Sequence, residues 1–142
     1  MNTSFEEKSV WIQLLSLIVV FGSYFFIALR MILEGITNIK AFIPLFFIAT
    51  VFLVIILIAG HIVAAIVHRK DKPDQQDERD RLIEWRSQSN SAWILGAGIL
   101  VAIIGLVLSV QTVWIANLLL LFLFLSEVVK ALFQIFYYRR GM

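Results

Sequence analysis

With 142 residues and a hydrophobic fraction of 61%, the chain lies well above the roughly 45–50% apolar content of soluble domains. Its mean hydropathy of +0.91 exceeds what a soluble fold of this length can hide in its interior, so the expectation is an integral membrane protein. A formal net charge of +2 is too small to imply nucleic acid as a partner, and the absence of cysteine removes disulfides, thiolate nucleophiles and cysteine zinc sites.

The chain opens with Glu6 and Glu7 and has neither a basic n-region nor an A-x-A site near its first apolar run. That start reads as an anchor and not as a cleaved signal, with Ser4 and Glu7 spaced as a helix capping box. Residues 9–31 form the first predicted span, uncharged until Arg30. Arg30 and Glu34, at i and i+4, fall at the water interface beyond it. Residues 41–67 form the second span, with Pro44 in the first turn, where its missing N–H costs little.

Residues 68–91 are the charged segment. Between Arg69 and Arg86 six bases meet six acids, so no uncompensated basic patch exists for nucleic acid or anionic lipid. After Pro73 the pattern turns helical. Asp74 suits an N-cap, Asp77 and Arg81 pair at i, i+4, and Glu78 and Arg81 pair at i, i+3. Leu82 and Trp85 share a face with Arg79 and Arg86, whose stems could lie along headgroups. This helix is expected in the cytoplasm, where it either holds span orientation or offers Asp77, Glu78 and Arg81 to a protein partner.

From Ser87 to Ser126 no residue is charged. As one helix that stretch would be roughly 60 Å long, about twice a bilayer core, so it must fold over at the polar residues 109–112. Spans over 92–110 and 113–138 then form a helical hairpin. In the first of these, Gly98, Ala102, Gly105 and Ser109 line one face at steps of four, three and four, a small-residue stripe for close helix packing or a homo-oligomer face. The second buries Glu127 and Lys130, one turn apart and able to pair. His61 has about the expected depth of Lys130, and Gln13 that of Gln134, and such matching depths permit one polar layer across the interior. Ionisable groups inside a membrane are functional hypotheses by default, here either an ion pair that fixes helix register or a proton- or ion-handling site.

Orientation follows from Lys and Arg. Nine of the twelve collect on the side of the termini and the charged segment, only Arg30 and Lys40 lie on the other, and Lys130 is within a span. By the positive-inside rule both termini are cytoplasmic, in the inner membrane. Trp11, Trp93, Trp114, Tyr137 and Tyr138 sit near span ends, as interfacial aromatics do. No HExxH, P-loop, GxSxG or metal-spaced His and acid set occurs, so neither a catalytic residue, a metal nor a cofactor is expected.

The run "DERDRLIEWR" entering a span, followed by "WIANLLLLFLFLSEVVKALFQIFYYRRG", resembles an uncharacterised family of short four-span prokaryotic membrane proteins, a domain of unknown function. The resemblance covers residues 77–141, with a weaker echo in "EKSVWIQL" at 7–14. It rests on Asp77, Glu78, Arg79, Asp80, Arg81, Ile83 and Glu84, then on Trp114, Asn117, Glu127, Lys130, Gln134, Tyr137, Tyr138, Arg139 and Arg140. It implies a small accessory or regulatory membrane protein and brings no biochemical activity.

The expected fold is thus an all-α integral membrane domain of four transmembrane helices, N-in and C-in, with a short cytoplasmic helix between spans two and three. The expected role is non-enzymatic and regulatory or accessory, through protein partners in or at the lipid bilayer. The alternative is a small oligomeric proton- or ion-coupled transporter or channel using Glu127 and Lys130.

Overall fold

The computed structural model describes residues 5–67 and 78–140, which are helical apart from two short connections. The elements are α1 (Phe5–Leu33), a 3-10 turn (Ile39–Phe42), α2 (Ile43–Val67), α3 (Glu78–Val107) and α4 (Thr112–Arg140). All four α-helices are long and apolar enough to cross a membrane. At 1.5 Å per residue they run roughly 38–45 Å, more than the ~30 Å hydrocarbon core, so each has turns to spare at its ends.

With nothing from Gln75 to Val110 to force a break, the charged helix could run straight into the third span, and in α3 it does. The charged start and the apolar remainder form one unbroken helix, Glu78–Val107, so no separate short helix precedes the third span among the described residues. Glu78 and Asp80 occupy its first turn, where acids suit the positive end of the helix dipole. Asp77 lies outside the described residues, and with it the expected Asp77–Arg81 pair. Glu78 and Arg81 are both exposed and form no ion pair with each other.

Spatially the helices pack in the order α2–α1–α4–α3, each antiparallel to its neighbour, while α2 and α3 barely touch. The two termini share one end of the bundle, where Arg139 Nε donates to Glu7 Oε1 at 3.2 Å and the guanidinium lies over the Trp11 ring. At the opposite end α1 stops at Gly35 (φ +89), whose N–H bonds Ile32 O while Ile36 N–H bonds Met31 O. This paired pattern closes a helix through a left-handed residue, which glycine adopts at least cost. α3 ends by the same device with a residue less suited to it. Ser109 takes φ +58, its N–H bonds Leu106 O, and Val110 N–H bonds Gly105 O. Ser109 is therefore an exposed helix terminator and does not extend the packing stripe expected of it.

The other three residues of that stripe face α4. A Cβ built on Gly98 would collide with the Phe122 ring, Ala102 is buried, and one on Gly105 would meet Ile115 at 3.5 Å. Two apolar clusters hold α1 against its neighbours. Val20, Tyr24, Ala28, Phe42, Ala49 and Val113 fill the half nearer the connecting turns. Val10, Leu14, Ala131 and Ile135 fill the terminal half. Outward positions such as Phe47, Phe52, Trp93 and Leu100 are exposed, a continuous apolar surface of the kind a bilayer covers.

Replacing Gly98 by Ala forces α3 and α4 apart and is expected to cost about 1–3 kcal/mol. Gly96→Ala, with nothing near its Cβ, should be neutral or stabilising by up to about 1 kcal/mol, because Ala is the better helix former. Ser109→Gly should stabilise by about 1 kcal/mol on relieving the left-handed backbone. Unfolding midpoints in mixed detergent micelles order the three variants.

Candidate functional site

Glu127, Lys130 and Gln134 follow one another at i, i+3 and i+7 and form a single stripe of α4. Gln134 is buried and the other two are half-buried, whereas Leu125, Leu132 and Phe136 on the opposite side are exposed. The stripe therefore looks toward the interior. On α1 the matching inward row is Gln13, Leu17, Val20 and Tyr24, of which the last three are buried. Leu14 packs with Ala131 and Ile135, which puts Gln13 at the level of this stripe.

Glu127 and Lys130 make no ion pair with each other or with any other described residue. This corrects the expected internal neutralisation. The Ser126 hydroxyl donates to Ser91 O at 3.1 Å, which sets this part of α4 beside the polar residues 87–91 of α3. Lys130 stands 18 residues from Thr112, roughly 27 Å along the helix, nearly the whole hydrocarbon thickness.

His61 does not join them. Its Nε2 lies 2.8 Å from the Ser9 hydroxyl and its Nδ1 lies 2.7 Å from Leu57 O. The carbonyl only accepts, so Nδ1 carries the proton and Nε2 accepts from Ser9 in the neutral ring. Ser9 is two residues from Glu7, at the terminal end of the bundle, so His61 lies about 10 Å nearer that end than Lys130. The single polar layer expected from depth alone is not formed. His61 instead ties α2 to α1 next to Gly60, which lets Ile12 approach the α2 backbone.

Three polar links escaped the sequence reading. The Tyr24 hydroxyl donates to Asn117 Oδ1 at 3.0 Å, and Asn117 Nδ2 donates to Val113 O at 2.9 Å. Asn90 Nδ2 donates to the Tyr137 hydroxyl at 2.9 Å. The third is the Glu7–Arg139 pair already described, with Glu7 almost fully buried. Each joins residues 47 or more apart in sequence, and no local pattern marks such partners. Ser87 Oγ is buried without a hydrogen-bond partner among the described residues.

The side of α4 away from the polar stripe bears an apolar groove of about 440 Å³ between α1 and α3. Phe25, Leu29, Val101, Gly105, Trp114 and Leu121 are among its walls, and Asn117 is its one amide-bearing side chain. Among the described residues no group of three or more His, Asp or Glu side chains comes together as a metal site.

The Ser9–His61 bond is expected to couple its partners by about 0.6 kcal/mol and by no more than about 1.7, the range for hydrogen bonds between membrane helices. A double-mutant cycle with Ser9→Ala and His61→Phe measures it, and zero coupling would make the contact incidental.

No family model, curated protein or solved structure matches the chain, so the resemblance of its second half to the four-span family finds no support there.

Proposed function

We propose that the chain is a small, non-enzymatic protein of the prokaryotic inner membrane that acts through protein partners in a regulatory or accessory role. Both termini are cytoplasmic in this reading. Its support is the charge distribution: Lys8, Arg79, Arg81, Arg86, Arg139 and Arg140 belong to the terminal end, against Arg30 and Lys40 at the other.

One observation carries the docking reading. Glu78, Arg79, Arg81 and Glu84 are exposed at the start of α3, and none has an ion-pair partner among the described residues. Charges held on a continuous helix, pinned to the bundle by fully buried Ile83 and Ser87, form a rigid acid-base surface. Such a surface gives a partner specificity and orientation more than raw affinity.

The second reading, a small oligomeric proton- or ion-coupled transporter or channel, draws on Glu127 and Lys130 standing unpaired on one stripe. Two measurements separate the readings. Charge reversal at Glu78 and Arg81 (Glu78→Lys with Arg81→Glu) should abolish crosslinking to a cytoplasmic protein in cells while leaving the unfolding midpoint within about 0.5 kcal/mol of the parent. In proteoliposomes, proton or alkali-cation flux lost on Glu127→Gln would establish the transporter and overturn docking as the main role.

A further inference from the structure

The polar stripe of α4 has a chemistry of its own. It presents a carboxylate and an ammonium one turn apart, neither spent on the other, with the Gln134 and Gln13 amides alongside. No charged residue lies between Ile43 and Val67, so α2 supplies no counter-charge. On α1 the nearest acid is Glu7, which is engaged with Arg139. α2 and α3 scarcely meet, leaving the stripe's side of the bundle open between them. The Ser126–Ser91 bond sets Glu127 and Lys130 level with the polar residues 87–91 of α3, where that helix turns polar toward the terminal end.

We propose that this stripe binds the zwitterionic head of a phospholipid, with a primary ammonium on Glu127 and the phosphate on Lys130, entered from the leaflet at the terminal end between α2 and α3. Side chains at i and i+3 project about 5–6 Å apart, a spacing that suits an ammonium and a phosphate joined by a two-carbon link. Two ionised groups half out of water favour partners of opposite sign, and an inner-salt ligand satisfies both without adding net charge. A choline head of the same shape has no N–H to give Glu127, and a glycerol head has no cation. The site therefore discriminates among heads by hydrogen bonding. It uses none of the exposed charges of α3 and stands or falls apart from the docking surface.

Native mass spectrometry of the purified protein, released from bilayers containing equal amounts of phospholipids with ethanolamine, choline and glycerol heads, tests this directly. One charge-assisted hydrogen bond corresponds to roughly tenfold or more in affinity, so one ethanolamine lipid should be retained about tenfold over either competitor. Glu127→Gln should bring ethanolamine and choline lipids level, and Lys130→Gln should lower retention of both. Gly96→Ala should change nothing. Equal retention of all three heads by the unsubstituted protein would overturn the proposal whatever the variants do. So would a preference that survives Glu127→Gln in protein with an unchanged unfolding midpoint. Crosslinking of Glu127 to a second copy of the chain, in place of lipid, would overturn it by showing that another protomer occupies the site.

Discussion

The bundle depends on how closely α3 approaches α4, and that approach depends on the missing side chain at Gly98. With the Phe122 ring seated where a Cβ would be, the two backbones come together and the hairpin register is set. That register brings Ser126 to Ser91, Asn90 to Tyr137 and Ile115 to Gly105. Lipid tails are as apolar as leucine, so no hydrophobic force drives these helices together. Close van der Waals contact and a few polar links must do it.

Once α4 is fixed to α3, its other side takes α1. Val10 and Leu14 meet Ala131 and Ile135 in one half, and Tyr24 reaches Asn117 in the other. α2 is attached through α1 alone for most of its length, with His61 and Gly60 at one end and Phe46 against Tyr24 at the other. The consequence is an open side between α2 and α3, bordered by the Glu127–Lys130–Gln134 stripe.

Polar groups divide accordingly into two classes. Those at helix contacts are consumed in structure: Ser9 with His61, Tyr24 with Asn117, Asn90 with Tyr137, Glu7 with Arg139. Those left unpaired, Glu127 and Lys130 in the span and Glu78, Arg79, Arg81 and Glu84 at the start of α3, are the groups available to something outside the chain. The first class contributes stability through fixed geometry. The second retains its interaction energy for a ligand or partner.

The sequence alone determined that four helices exist, where the α3–α4 turn falls, and that both termini share one end. Uninterrupted apolar runs of about 20 residues and the polar residues 109–112 permit little else. It also marked Gly98, Ala102 and Gly105 as one face, because helical period places them together whatever they pack against. Tertiary structure alone decided which faces meet, that Ser109 ends the helix, that His61 sits with Ser9 and away from Lys130, and that Glu127 and Lys130 do not pair. The physical reason is that helices apolar all round carry no amphipathic pattern to say which side is inward. Depth counted along a chain put His61 level with Lys130, whereas the packing of α2 on α1 sets it beside Ser9, so neighbours decide both the height of a side chain in the bundle and the direction in which it points.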